Sequence, residues 1–156
     1  MSAEERLKEL GYTLPVPPTP VASYVPVVRT GKLCFVSGQL PAYDKGRMVT
    51  GTVPEDCSVE KATEAARICA FNILAQLKAH LTSLDKVTQI VHVAVYVRSS
   101  VGFGEHPRIA NGASNLFVEI FGDNIGKHSR VALGAAELPL GASVEISAIV
   151  EVAPLE

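Results

Sequence analysis

Two side chains of opposite charge near the end of the chain have the types needed to act on a small organic acid. Arg130 and Glu145 each lie within a short apolar stretch. A guanidinium is a planar fork that grips a carboxylate through two parallel hydrogen bonds, and a carboxylate close to it could accept a proton from an attacking water. The alternatives are a partly buried salt bridge that only joins two strands, or a Glu145 that simply faces solvent. The residues alone leave these alternatives open.

The other polar residues show no catalytic or metal-binding pattern. No two of the four histidines have a metal-ligand spacing, so we expect no metal. Ser37 lacks the glycine pattern of a nucleophile elbow. Cys34, Cys57 and Cys69 form no CxxC pair, and an odd, sparse cysteine count is typical of reduced thiols in a cytosol.

The charge and hydropathy of the chain exclude some classes of partner. There are 14 basic and 16 acidic residues, without a cluster of either sign, so nucleic acid is not an expected partner. No apolar stretch approaches the roughly 20 residues of a membrane span, and the charged start MSAEERLKEL does not resemble a signal peptide. We therefore predict a cytoplasmic protein with no membrane partner. An apolar content of 47% suggests that part of the surface is buried against another subunit.

The chain divides into a leader at 1–23 and a single domain at 24–156. A short helix is expected over 3–10, and the proline-rich stretch 14–20 should lie extended across the surface. The patterns after it predict strands and helices in alternation. In chain order these are strands at 25–29 and 33–37, a short strand including Met48 and Val49, a helix over 58–80, a strand over 87–97, a helix from Pro107 to Gly122, and strands at 130–133 and 143–150.

This order of elements predicts an α+β fold, a mixed sheet with two helices packed on one face. Val87, Val91, Val93, Val95 and Val97 are expected to share one face of their strand. Because the strand is apolar on both faces, we expect both faces to be covered, the second one by another subunit.

The start of the second long helix contains residues that disfavour a helix. Asn111-Gly112 is poor helix-forming sequence. Residues that disfavour a helix without a visible structural benefit indicate a functional demand at this point.

Three motifs together resemble the Rid family, the reactive intermediate deaminases also called the YjgF family. A small residue, Arg, a short strand, Leu-Pro and an apolar–Glu–apolar strand occur here as Ser129 to Leu133, Leu138-Pro139 and Val144 to Ile146. The Ser-Gly-Gln-apolar-Pro segment of the family is matched within Val36 to Pro41, with Tyr24 upstream of it. The third match is Asn111 near the start of the second helix.

The resemblance implies a chorismate-mutase-like fold and a homotrimer with sites between subunits. It also implies hydrolysis of small 2-imino acids to 2-oxo acids and ammonia, with no organic cofactor. Arg130 would bind the substrate carboxylate, and Glu145 would orient or deprotonate water. Tyr24, Ser37 and Asn111 would line the pocket.

Departures from the family pattern indicate a divergent subgroup. Ala132 stands where many members carry Cys, at a residue that the family uses largely through its backbone, and His128 stands where Pro or Ala is usual. Two other functions remain open: a trimer that binds an oxo acid without catalysis, and a ribonuclease or translation inhibitor. The slight negative charge and the missing basic patch count against the last.

Overall fold

Three helices and a five-stranded sheet form the fold, with a two-stranded ribbon beside them. The computed structural model describes residues 1–20 and 22–155. The elements are α1 (Ala3–Glu9), β1 (Val27–Thr30), β2 (Leu33–Gln39), β3 (Ala42–Tyr43), β4 (Arg47–Met48), α2 (Val59–Leu81), β5 (Val87–Arg98), α3 (His106–Gly126), β6 (Ser129–Ala135) and β7 (Val144–Val152).

The sheet is mixed, in the order β1-β2-β7-β5-β6. All neighbours are antiparallel except β5 and β6, which run parallel. A parallel pair needs a long crossover connection, and α3 supplies it. Helices α2 and α3 pack on each other and on the same side of the sheet, around one apolar core. The predicted α+β architecture is confirmed.

The alternation of apolar and polar residues from Val144 to Ala148 predicts that the apolar side chains share one face of β7, and the structure shows this alternation. Val144, Ile146 and Ala148 are buried under the helices, whereas Glu145 and Ser147 are only partly buried. Successive side chains of a strand point to opposite faces of the sheet. Glu145 therefore lies on the face away from the helices, which we call the open face.

The predicted facing of β5 is wrong in its first half. The partner of Ile90 is Val150, and the partner of His92 is the preceding residue of β7, so the strand has a bulge at Val91. Ile90 and Val93 are both fully buried, and Val91 is only partly buried. The inserted residue moves Ile90, instead of Val91, onto the helix-covered face.

The two long helices begin and end close to the predicted residues. The Ser58 hydroxyl caps α2 by accepting a hydrogen bond from the Lys61 amide at 3.1 Å. Pro107 lies in the first turn of α3. Gly122 leaves the helical conformation at φ 77°, and one more short helical turn follows it. None of the helices in the described ranges has the length and apolar character needed to cross a bilayer.

The residues before β1 make specific contacts with the rest of the fold. Ala3 and Leu7 of α1 are buried in the core, and the Glu4 carboxylate pairs with Lys78 at 2.9 Å. Farther along, the Gln76 side chain donates a hydrogen bond to the Pro18 carbonyl at 2.8 Å. The division of the chain at residue 24 stays a prediction, but α1 contributes side chains to the core.

A close contact between α2 and α3 depends on Gly112. A Cβ at this position would overlap the carbonyl oxygen of Thr63 in α2. The absence of a side chain lets the two helix backbones approach each other. Packing thus explains why Gly112, a weak helix former, lies next to Asn111. The expectation of a functional demand is corrected for Gly112.

Replacing Gly112 with Ala should destabilise the protein, although Ala favours helix more than Gly does. The added methyl group forces α3 away from α2, and such overpacking costs about 1–3 kcal/mol. Urea unfolding followed by circular dichroism measures the loss.

Gly104→Ala is the matched control, because a Cβ at Gly104 meets no atom within 4 Å. We expect it to change the free energy of unfolding by about 0.5 kcal/mol at most. An unfolding free energy of Gly112→Ala equal to that of the control would contradict the packing role.

Candidate functional site

The Arg130 side chain is held by α3. Its Nη1 donates to Asn111 Oδ1 at 2.9 Å and to Ser114 Oγ at 3.1 Å, and its Nη2 donates to the Pro107 carbonyl at 3.4 Å. In the sheet Arg130 lies beside the buried Val93 of β5, which places its side chain on the helix-covered face. The edge strand β6 presents the guanidinium there, partly exposed.

These contacts leave part of the guanidinium free. Among the described residues, Nε of Arg130 has no hydrogen-bond partner, and Nη2 donates only to the Pro107 carbonyl, at the long distance of 3.4 Å. The Nε and Nη2 hydrogens form the side edge of the fork, an edge that fits a carboxylate through two parallel bonds. The contacts that orient the side chain thus leave this edge with a single long contact, at Nη2.

A second layer of hydrogen bonds supports Arg130. The Gly126 carbonyl lies 2.6 Å from His128 Nδ1 and can only accept, so Nδ1 carries the proton. In the neutral ring Nε2 then accepts from the Ser114 hydroxyl at 2.8 Å. Ser114 Oγ in turn accepts from Arg130. Burial lowers the pKa of His128, with a smaller contribution from the charge of Arg130, which favours this neutral form.

Glu145 occupies a different environment on the open face. It lies beside Tyr96 of β5 in the sheet register and against the backbone of Gly38, where a Cβ would overlap the carboxylate. Gly38 belongs to the irregular stretch of β2 between Val36 and Gln39. Burial raises the pKa of the Glu145 carboxyl, so the group is not freely solvated, and it pairs with no cation among the described residues.

Tyr24 and Ser37 are linked to Gly38, the residue that the Glu145 carboxylate contacts. Tyr24 is half exposed and lines a cavity of about 170 Å³ together with Gly38. The Ser37 hydroxyl donates to the Val25 carbonyl at 2.8 Å, which ties β2 to the segment carrying Tyr24. Ser37 therefore has a clear structural partner, and its role toward a ligand stays a prediction.

Within one chain the candidate residues form two groups on opposite faces of the sheet. Arg130 and Asn111 contact each other on the helix side, whereas Ser37 and Glu145 lie on the open face of their strands. Tyr24 lies outside the sheet, at the cavity that Gly38 also lines. A salt bridge between Arg130 and Glu145 is therefore not formed within the described chain. That alternative from the sequence is wrong.

Ala132 lies two residues after Arg130 on the same side of β6. Its side chain packs, partly buried, against the core. Beyond this strand the sheet has no further neighbour among the described residues. The backbone of β6 on that edge is thus available to a ligand or to another chain.

Three groups that shape the candidate site were not predicted from the sequence. Ser114 and the Pro107 carbonyl orient Arg130, and Gly38 makes room for Glu145. The Asn111–Ser114 spacing of three residues on one helix face was a usable signal. The carbonyl contact and the Gly38 contact were not accessible, because they depend on tertiary packing.

The described residues contain no group of three His, Cys, Asp or Glu side chains placed to hold a metal ion. The expectation of a reaction without metal or organic cofactor stays a prediction.

Comparison with known proteins gives consistent matches over nearly the whole chain. A family profile described as "YjgF/chorismate_mutase-like, putative endoribonuclease" matches residues 4–152. Protein TCP17 of Trypanosoma cruzi is 43% identical over 145 residues, covering 93% of this chain and 91% of its own. A 2-iminobutanoate/2-iminopropanoate deaminase of Dermatophagoides farinae is 28% identical, covering 87% of this chain and 91% of its own.

A solved structure agrees in fold as well. A protein of unknown function from Agrobacterium tumefaciens superimposes with a TM-score of 0.87 at 47% identity. The match covers 97% of this chain and 94% of that protein.

The pH dependence of stability should report the environment of His128. Because burial lowers its pKa in the folded state, the unfolded chain binds more protons between the folded and unfolded pKa values. The contribution of neutral His128 to the free energy of unfolding is fully present above the unfolded pKa of about 6.5. It is lost as pH falls toward the folded pKa. We expect the difference in unfolding free energy between wild type and His128→Gln to decrease as pH is lowered from about 8 to about 5.5.

His80→Gln serves as the control, since His80 is exposed near the end of α2. Both variants are measured by urea unfolding at each pH. Curves for wild type and His128→Gln that stay parallel over this range would show that His128 is not held neutral by burial.

Proposed function

The chain belongs to the YjgF/chorismate-mutase-like family, and on that premise we propose that it hydrolyses small 2-imino acids to 2-oxo acids and ammonia. The observation that carries the proposal is the Nε–Nη2 edge of Arg130, which has a single long contact within the chain, in a guanidinium already oriented by Asn111 and Ser114. Such a fork fits the carboxylate that every 2-imino acid and 2-oxo acid shares. One related protein, at 28% identity, is a deaminase of this type.

We propose further that a second copy of the chain completes the site. Arg130 and Glu145 lie on opposite faces of one sheet, so a substrate held by one chain's Arg130 needs the Glu145 of another copy. The open face carries exposed apolar side chains that a partner would cover, among them Val28, Phe35, Val131 and Leu133. A cyclic homotrimer repeats this contact head to tail and closes, with one site at each interface.

The chemistry requires only positioning and one proton acceptor. Glu145 takes a proton from water while the water oxygen bonds to the imine carbon and the C=N electron pair moves to nitrogen. Glu145 passes that proton to the nitrogen, which gives a neutral carbinolamine. Glu145 then takes the hydroxyl proton as the C=O bond forms and the C–N bond breaks, and passes it to the departing nitrogen, so one water is consumed for each ammonia released. A raised pKa makes Glu145 a stronger base than an ordinary carboxylate.

The two alternative functions, a ribonuclease and a non-catalytic oxo-acid binder, require different residues. A ribonuclease needs a cationic path along a phosphate backbone, and the chain has a net charge of −2. A non-catalytic oxo-acid binder would use Arg130 in the same way but would not depend on Glu145 as a base. Turnover by wild type, lost in Glu145→Gln with binding of 2-oxo acids retained, separates catalysis from binding alone.

Arg130→Ala should lower kcat/KM for 2-iminopropanoate by about a hundredfold, because the charge-assisted bidentate contact with the substrate carboxylate is lost. The imine is generated in the assay from alanine by an amino acid oxidase, and oxo-acid release is measured above the spontaneous rate. The exposed Arg108 of α3 provides the matched control position. Arg108→Ala should leave kcat/KM near the wild-type value, and equal activity of both variants would refute the assignment of Arg130.

Mixed assemblies test whether each site spans two copies. We expect Arg130→Ala and Glu145→Gln chains to be inactive alone, but co-refolded chains would contain interfaces with an intact Arg130 from one copy and an intact Glu145 from the next. Random mixing in equal amounts should restore about a quarter of wild-type activity. No recovery, from mixtures shown by mass spectrometry to contain both chains, would place both residues in the same copy's site.

A further inference from the structure

The residues before β1 form one wall of the cavity beside Tyr24. Pro18 and Pro20 line it together with Leu40, Met48 and Leu140. These side chains are apolar, and the space between them measures about 170 Å³. An apolar pocket of about 150 Å³ is large enough to hold a benzene ring. The cavity is therefore the size of one branched aliphatic or aromatic side chain.

The polar groups of the cavity are largely engaged with each other. Gln39 and Gln76 are buried, and the Gln76 amide donates to the Pro18 carbonyl at 2.8 Å and lies 3.5 Å from Gln39 Oε1. The Gln39 amide donates to the Ser37 carbonyl at 3.1 Å. These bonds connect the proline wall to the strand that contacts Glu145, and they leave few polar groups for a ligand.

The cavity reaches a residue that contacts the proposed catalytic carboxylate. Gly38 is part of the cavity lining, and the Glu145 carboxylate lies directly against the same residue. An imine carbon placed next to Glu145 thus has its substituent within reach of the cavity. The carboxylate of the same molecule would extend away from it, toward Arg130 of the adjoining copy.

Resting on the proposed function, we infer that this cavity binds the substrate's side chain and that the preferred substrates are 2-imino acids with a bulky apolar side chain, of isobutyl to benzyl size. A methyl group, as in 2-iminopropanoate, would leave most of the cavity unfilled. An added methylene group in an apolar pocket is worth about tenfold or more in kcat/KM. Charged side chains are disfavoured, because the cavity offers them no counter-ion among the described residues.

The test compares imines generated by an amino acid oxidase from alanine, leucine and phenylalanine, at equal rates of imine formation. We expect kcat/KM for the leucine- and phenylalanine-derived imines to exceed that for the alanine-derived imine by about tenfold or more. Equal or higher kcat/KM for the alanine-derived imine would overturn the inference and leave the proposed hydrolysis standing.

A binding measurement separates failure of the inference from failure of the proposed function. The unreactive 4-methyl-2-oxopentanoate and pyruvate are titrated against the intact protein by calorimetry. Tighter binding of 4-methyl-2-oxopentanoate without turnover of any imine would support the cavity and refute the hydrolase. Tighter or equal binding of pyruvate would overturn the cavity assignment.

Two variants with opposite expected effects locate the preference in this cavity. Ala42 and Met48 are paired across the β3–β4 ribbon and both line the cavity. Ala42→Leu should lower the ratio of kcat/KM for the leucine-derived to the alanine-derived imine, by about tenfold, because it fills the space. Met48→Ala should raise the phenylalanine-to-leucine ratio, because it enlarges the space.

Ala79→Leu is the control for Ala42→Leu, since Ala79 lies exposed on α2 and outside this cavity. The kcat/KM ratios of Ala79→Leu between the imines should equal those of wild type. Ratios unchanged in Met48→Ala would contradict the inference even if Ala42→Leu failed to fold.

Discussion

The alternation of side chains across a β-sheet is the constraint on which the candidate site depends. Arg130 lies on the helix-covered side of β6, whereas Glu145 lies on the open side of β7. Neighbouring residues in register share a face, so this separation is imposed by hydrogen-bond pairing and cannot be removed by a rotamer change. The proposed reaction, which uses both groups, therefore relies on a second copy of the chain, and the open face carries exposed apolar side chains.

The orientation of Arg130 depends on the packing of two helices. Its partners Asn111 and Ser114 are carried by α3, and α3 approaches α2 closely because Gly112 has no side chain. His128 extends the support by accepting from Ser114 while its other nitrogen donates to a carbonyl. A functional side chain held through such a supporting layer loses less entropy when it binds a ligand.

Different parts of the chain would contribute the reaction and the choice of substrate. The proposed chemistry uses residues of the sheet and of α3, which the family motifs contain. The proposed preference uses the residues before β1, which are joined to α2 by the bond between Gln76 and Pro18.

The sequence by itself determined the α+β class, the bounds of α2 and the facing of β7, because these follow from local periodicity and capping. It also singled out Arg130, Glu145, Tyr24, Ser37 and Asn111, whose roles remain predictions. Only the tertiary structure decided the bulge at Val91 and the position of Glu145 against Gly38. It alone also decided that Arg130 and Glu145 lie on opposite faces. Strand register and contacts between distant segments set these features, and no local pattern in the sequence encodes them.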